Sequence, residues 1–273
     1  MAYVEEMFGL EGTKVVVTGG AGVIAGAMSE ALLNAGASVS VWGRGTNHPV
    51  SEAVERLEAT CDARGRVFGE TVDTGNEDDV AAALERTEAS MGMPDVLVNG
   101  VGGNRGKSPF VDIDVETFES VLSMNLSAGL VIPTKVFCRR WIDAKVKGSV
   151  INLSSMTSYI PLSGVWAYNA AKSAVLNLTV GSAREFAEHD IRVNGIAPGF
   201  FLGYQNKDLL VANDETGELT ARGQAIIDHT PYGRFGEVSE LAGATLFLAS
   251  RKASGFVTGV TIPVDGGYLT HNI

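Results

Sequence analysis

The most pointed chemistry in this sequence is a tyrosine and a lysine four apart, Tyr168 and Lys172 in Tyr168-Asn169-Ala170-Ala171-Lys172. On a helix, positions i and i+4 are neighbours on one face. An ammonium beside a phenol stabilises the phenolate and lowers its pKa from about 10, which makes Tyr168 a candidate acid and base near neutral pH. Alone, the pattern equally fits a surface Tyr–Lys pair. It does not stand alone: Ser154 and Ser155 end an apolar run upstream of Tyr168. Asn125 falls within a helical pattern over 115–142, where Asn is a poor helix former, and Pro133 should kink the same helix. An Asn at a distorted helix could hold a water together with a freed carbonyl, or it could be a buried, hydrogen-bonded Asn.

A second constellation is Thr18-Gly19-Gly20-Ala21-Gly22-Val23-Ile24-Ala25-Gly26, which closes the first apolar run. A glycine turn between a strand and a helix lets backbone N–H groups approach a pyrophosphate at the helix N-terminus. A tight turn without a ligand has the same composition. Where an acidic residue would bind a ribose 2′-hydroxyl, at the end of the second strand, stand Trp42, Gly43 and Arg44. An arginine without a carboxylate suits a 2′-phosphate, with Thr46 and Asn47 as further donors. A solvated loop cation is the other reading of Arg44.

These residues need elements to position them. Thr13–Thr18, Ser38–Trp42, Arg66–Asp73, Asp95–Asn99, Val150–Leu153, Ile191–Ile196 and Val260–Pro263 read as strands, and 22–34, 50–64, 77–90, 115–142, 166–188 and 238–250 as helices. Apolar runs alternating with longer helices indicate βαβ units, a parallel sheet and, with right-handed crossovers, an α/β doubly wound fold with helices on both faces. In that fold the carboxyl ends of the strands face the ligand crevice, which aims Ser155 at the site and lets the next helix bring Tyr168 back to it. No repeat or linker interrupts residues 1–273, which read as one Rossmann-like domain. The stretch 200–232 breaks the rhythm, and its polar composition suggests a mobile lid over the site.

Composition narrows the function. The chain has 273 residues, a net charge of −11 and 45% hydrophobic residues. That charge argues against non-specific binding to nucleic acid or an anionic membrane. No uninterrupted run of 18 apolar residues occurs, so no membrane span is expected, and the first ten residues, with Glu5 and Glu6 and no basic stretch, do not read as a secretory leader. Cys61 and Cys138 lie far apart and outside any metal-ligand spacing, as expected of two reduced, mostly buried thiols of a cytoplasmic protein with no metal.

Together, TGGAGVIAG, Asp73, the NGVGG at 99–103, Asn125, Ser155, the YNAAK box and Pro198-Gly199 resemble the short-chain dehydrogenase/reductase family over nearly the whole chain. The resemblance implies an NAD(P)-dependent oxidoreductase with Asn125, Ser155, Tyr168 and Lys172 as the catalytic set. It implies that Ser155 polarises a carbonyl and Tyr168 transfers the proton. Lys172 would tune Tyr168 and bind the nicotinamide ribose, and Asn125 would hold a relay water. It places Gly19, Ala21, Gly22, Val23 and Ile24 at the diphosphate, Asp73 near the adenine, and Asn99 and Gly100 beside the adenosine ribose. Pro198, Gly199 and Phe201 would cover the nicotinamide, with Arg44, Tyr168 and Lys172 completing the cofactor contacts. Val23 and Ala25 stand where the commonest family pattern has glycines. The Val23 variant, VNGVGGN, PGFF followed by QN, HTPYGRFGE and SGFVTGVTIPVDGGY resemble the D-mannonate oxidoreductase (fructuronate reductase) branch. That branch carries an Asp where this chain has Gly43, so NADP is expected here, with NAD possible.

A sugar-acid substrate needs a cation for its carboxylate and polar groups for its hydroxyls. Arg105 and Lys107 follow the fourth strand, and Asn104, Tyr204, Gln205, Asn206, Lys207 and Arg222 lie in loops expected to close the site along with Ser155. The polar 203–224 segment favours a sugar acid over a fatty-acyl or steroid substrate. Two other readings are a reductase of another carbonyl, such as a 3-oxoacyl thioester or a cyclic ketone, and a non-catalytic cofactor-binding scaffold. The helices at 115–142 and 166–188 are expected to have apolar outer faces, and the family resemblance implies that such helices pair, giving a homotetramer.

Overall fold

The structure, a computed structural model, describes residues 2–46, 48–203, 207–213 and 216–270. Its strands are β1 (Lys14–Thr18), β2 (Ser38–Gly43), β3 (Val67–Thr71), β4 (Val96–Asn99), β5 (Ser149–Leu153), β6 (Arg192–Pro198), β7 (Val211–Asn213), β8 (Glu218–Leu219) and β9 (Thr261–Val264). Its helices are α1 (Ala2–Phe8), α2 (Val23–Asn34), α3 (Val50–Thr60), α4 (Glu77–Met91), α5 (Val115–Leu122), α6 (Ile132–Ala144), α7 (Trp166–Phe186), α8 (Lys207–Leu210), α9 (Ala221–His229), α10 (Ala242–Ala249) and α11 (Arg251–Ser254). A π-helical segment, Ser123–Val131, joins α5 to α6.

Seven strands form one parallel sheet in the order β3-β2-β1-β4-β5-β6-β9. Alternation along each strand divides its side chains between two layers. Val15 and Val17 of β1 and Val96 and Val98 of β4 face the layer with Met28, Leu32, Leu57 and Leu248 of α2, α3 and α10. Val16 and Leu97 face the other, with Leu84, Phe137 and Trp141 of α4 and α6. Because both faces are covered, these strands read as continuous apolar runs in the sequence. Each such side chain contributes about 1.5–3 kcal/mol when removed from water.

The strand order reverses between β1 and β4, so their loops leave in opposite directions and open a crevice at the carboxyl ends. Trp42 points away from that crevice: it is fully buried, with Nε1 donating to Ser40 Oγ and Thr87 Oγ1.

The helix expected over 115–142 is broken in the middle. Pro133 has no N–H to return to the preceding turn, and the backbone widens into the π-helical segment just before it. Among the described residues, the combined run Val115–Ala144 is the one helix long and apolar enough, by length and composition, to cross a membrane. It packs as a core helix, with Phe137, Cys138 and Trp141 buried against the sheet. Burial pushes the Cys138 thiol up to about 12, whereas Cys61, also expected to be buried, is only half-buried.

The described residues of 200–232 include α8, the antiparallel β7–β8 hairpin and α9. Thr220 caps α9 through Gly223 N and donates to Leu209 O, and Leu210 and Ile226 are buried beneath.

Candidate active site

The site begins at two turns that approach each other closely. Gly19 follows β1 with φ of +66°, a conformation that other residues reach only at a cost, and its N–H donates to Trp42 O. Gly100 follows β4, and its N–H donates to Thr18 Oγ1 at 3.0 Å. A Cβ on Gly100 would stand 2.4 Å from Thr18 O and 2.8 Å from the Ala25 methyl, so no larger residue fits there. Gly22 then caps α2 with no side-chain acceptor for the first-turn amides. An uncapped helix start on a glycine turn, at the switch point of the sheet, fits a dinucleotide diphosphate. Val23, in place of a glycine, lies against Gly203, where the segment after β6 returns over the turn.

The catalytic candidates converge next to it. Ser155, almost fully buried, is presented by the end of β5; its Oγ accepts from Thr157 N at 3.1 Å and its hydroxyl hydrogen-bonds the Tyr168 phenol. Lys172 is 4% exposed, donates to Leu153 O at 2.7 Å, and stands 5.7 Å from the centroid of the Tyr168 ring. Its own main-chain carbonyl accepts from Ser158 Oγ at 2.7 Å, and Ser158 pairs with Ser154 Oγ at 2.6 Å. The serine cluster thus ties the end of β5 to the helix that carries Tyr168. Spacing alone does not single out Ser158.

The expectation that Lys172 lowers the Tyr168 pKa is corrected. Burial holds the phenol above its ordinary 10.0, with the Ser155 hydrogen bond pulling the other way. Burial also brings the Lys172 ammonium down to about 8. Desolvation disfavours the charged form of each group and is the leading effect at both. At neutral pH the pair is a neutral phenol and a protonated amine, the state that donates a proton to a carbonyl.

Asn125 lies inside the π-helical segment, 1% exposed. Its Nδ2 donates to Gly103 O at 2.7 Å and to Val121 O at 2.9 Å, and its Oδ1 accepts from Gly103 N at 3.0 Å. Both amide protons are committed, leaving a lone pair on Oδ1 for a relay water. A Cβ on Gly102 would come within 2.7 Å of Asn125 Oδ1 and 3.1 Å of Lys172 Nζ, so the loop after β4, Asn125 and Lys172 meet at one point.

Other expected residues lie as follows. Arg44 is exposed just past β2. Asp73 is exposed past β3, with Oδ1 accepting from Gly75 N at 2.9 Å. The Asn99 side chain, expected beside a ribose, is turned into the interior instead. It donates to Thr134 Oγ1 and Asn152 Oδ1, both at 2.8 Å, in a chain that continues to Thr179. Pro198 ends β6, and Gly199 lies against Asp265 with its N–H donating to Val264 O. Phe201 packs in the core at 6% exposure and pairs with Gly236, so its ring supports the cover from below. Asn104 and Arg105 are exposed and line a cavity of about 220 Å³ with Lys107, Asp112 and Trp166. Tyr204, Gln205, Asn206 and Asn47 lie outside the described residues.

A family profile described as Enoyl-(Acyl carrier protein) reductase matches residues 19–269. The chain belongs to the short-chain dehydrogenase/reductase family. It is 38% identical over 278 residues to a Bacillus subtilis protein named Uncharacterized oxidoreductase UxuB, covering 96% of this chain and 97% of that one. A structure from Haemophilus influenza assigned as a D-mannonate oxidoreductase, with bound NAD, is 31% identical, with a TM-score of 0.87 and 99% of each chain covered. A gluconate 5-dehydrogenase from Burkholderia cenocepacia in complex with NADP and tartrate is 29% identical, with a TM-score of 0.86, and covers 98% of this chain and 100% of that one. This short-chain dehydrogenase/reductase is thus an NAD(P)-dependent oxidoreductase.

Proposed function

We propose that the enzyme interconverts a keto and a hydroxy group on a sugar acid of the gluconate or mannonate type, using NADP(H). The reading rests on one observation above all: two cations, Arg105 and Lys107, line a cavity against the first turn of the helix that bears Tyr168. The names of the similar proteins support it.

In the proposed reaction, Tyr168 gives its proton to the carbonyl oxygen and Ser155 donates a hydrogen bond to the same oxygen. When bound, the nicotinamide supplies the hydride. Lys172 orients the cofactor ribose and favours the phenolate that Tyr168 leaves behind. Asn125 holds the loop at Gly103 and the π-helical segment together, and its remaining lone pair serves the relay water. Gly19, Ala21, Gly22, Val23 and Ile24 hold the diphosphate, Asp73 and Gly100 the adenosine end, and Pro198 and Gly199 the cover. The segment 200–232 closes over the substrate. The assembly is a cytoplasmic homotetramer paired through α5 and α7, where Val115, Leu178 and Val180 are exposed at 63%, 37% and 53%.

The carboxylate is tested by comparing a keto sugar acid with its neutral ketose analogue. Loss of a charge-assisted hydrogen bond is expected to cost about 1.5–3 kcal/mol in kcat/KM. Equal values for the two compounds would remove the anionic subsite.

NADP(H) is favoured by Arg44 and by the absence of a carboxylate anywhere from Ala37 to Asn47. A 2′-phosphate needs a cation close by. The net charge of −11 opposes this only weakly, because salt screens charges beyond about 8 Å. Wild type is expected to prefer NADPH by about tenfold in kcat/KM, or roughly 1.4 kcal/mol. The Gly43→Asp, Arg44→Leu double variant is expected to lose that preference. The aspartate has room, since a Cβ at Gly43 meets only Val50 Cγ2, at 3.6 Å. A wild type that prefers NADH would make Arg44 a bystander.

A further inference from the structure

The loop after β4 is fastened at both ends to the catalytic machinery. At its start, Asn125 grips Gly103 by two hydrogen bonds. At its far end, the fastening is Trp166, the first residue of α7 and two before Tyr168. The indole Nε1 donates to Ser108 O at 3.0 Å, and the ring meets Phe110 edge-on, with centroids 5.3 Å apart. Ser108 N donates to Gly164 O at 3.2 Å, and the Lys107 stem lies against Gly164, where a Cβ would come within 2.7 Å of Lys107 Cγ. The 162–165 turn is itself held to α7, since Asn169 Nδ2 donates to Leu162 O at 2.8 Å and Leu162 N returns a bond to Asn169 Oδ1 at 3.3 Å.

Between the two fastenings, Asn104 to Lys107 are exposed. An exposed arc would leave two long cationic side chains free to wander, at an entropic cost on binding. Here one end of the arc is held by Asn125 and the other by the turn before Tyr168. Trp166 Nε1, together with the Ser108–Gly164 bond, thus ties the far end of the arc to the helix that carries the proton donor.

We propose that Trp166 is a positioning residue for substrate selection: through Ser108 and Phe110 it sets the reach between Tyr168 and the Arg105–Lys107 pair, and so selects acids whose carboxylate lies at that distance from the reacting carbon. The inference rests on the carboxylate reading above. Trp166 does not touch the reacting atoms. Its effect belongs in KM for charged substrates and not in the proton transfer.

The experiment compares wild type, Trp166→Phe and Arg105→Met, using a keto sugar acid and its neutral ketose analogue, with cofactor Kd measured for each protein. Phenylalanine keeps an aromatic ring next to Phe110 and removes the indole N–H along with part of the ring volume, which the neutral-substrate arm controls for. Trp166→Phe is expected to raise KM for the acid about fivefold, the order of one neutral hydrogen bond. Its kcat should stay within twofold, and its KM for the neutral analogue and its cofactor Kd should be unchanged. An equal rise in KM for both compounds would reduce Trp166 to a structural role and overturn the proposal, as would an unchanged KM for the acid. Arg105→Met separates the two readings. If it leaves the acid-over-neutral ratio intact, the carboxylate subsite itself fails. If it collapses the ratio while Trp166→Phe does not, the subsite stands and only the role of Trp166 is lost.

Discussion

Tyr168→Phe is expected to lower kcat/KM for carbonyl reduction by about 10²–10⁴-fold while leaving cofactor Kd within twofold. The phenol is hydrogen-bonded to Ser155 at the end of β5, and phenylalanine removes its proton with little change in volume. Such a loss corresponds to roughly 3–5 kcal/mol of transition-state stabilisation. The pH profile carries an independent check. Reduction needs the neutral phenol, and burial holds that form above its ordinary range. Reduction should therefore stay level through neutral pH and fall only in alkali. Oxidation needs the phenolate and should climb with pH over the same interval. Residual activity within tenfold of wild type would show that another group moves the proton. A reduction rate that already falls between pH 6 and 7 would contradict a phenol held in its neutral form, whereas a fall centred near pH 8 would report loss of the Lys172 ammonium.

The sheet was legible because buried parallel strands leave an unmistakable trace. Val15–Val17 and Val96–Val98 lie between two helical layers and have no polar face to interrupt the run. Strand ends were less legible. The last strand begins one residue later than its apolar run suggests, at Thr261, and β6 continues to Pro198, because hydrogen-bonding to the neighbouring strand rather than hydropathy fixes where a strand stops. The break in the long helix followed from Pro133. Its π-helical form did not, since that depends on how the freed turn packs around Asn125. The short helix Ala2–Phe8 buries none of its residues, and its seven positions are too short a window for a periodic reading.

At the site, residue type and order singled out Ser155, Tyr168 and Lys172, whose side chains the fold brings together. What the sequence hid was the direction of side chains. Asn99 sits at a strand end facing the crevice, yet alternation along β4 turns its amide inward to Asn152 and Thr134. Phe200-Phe201 offers two aromatic rings to the cover, and the pairing of Phe201 with Gly236 sends that ring into the core. The pKa directions were hidden for a similar reason. Four-residue spacing puts Lys172 near Tyr168, but it does not report that the Nζ donates to Leu153 O or that desolvation leads at both groups.

Lys172→Met is expected to lose both activity and cofactor affinity, which distinguishes it from Tyr168→Phe. Lys172 Nζ stands where β5, the Tyr168 ring and the loop at Gly102 meet. A buried amine there has two tasks in the proposed reaction, holding the cofactor ribose and favouring the phenolate, and methionine fills the same volume while performing neither. Removing one preorganised donor from a water-excluded site costs about 10²–10³-fold in kcat. The cofactor Kd should weaken by about tenfold, as expected for loss of one hydrogen bond to a charged group. Methionine also removes the donor to Leu153 O, so folding needs its own control. Thermal unfolding without cofactor reads that cost alone, and the added stabilisation by saturating cofactor reads the ribose contact. If cofactor raises the melting temperature of Lys172→Met as much as that of wild type, the ribose contact is wrong and Lys172 serves only Tyr168. If activity also survives within tenfold, the amine serves neither partner and its burial between β5 and α7 is structural.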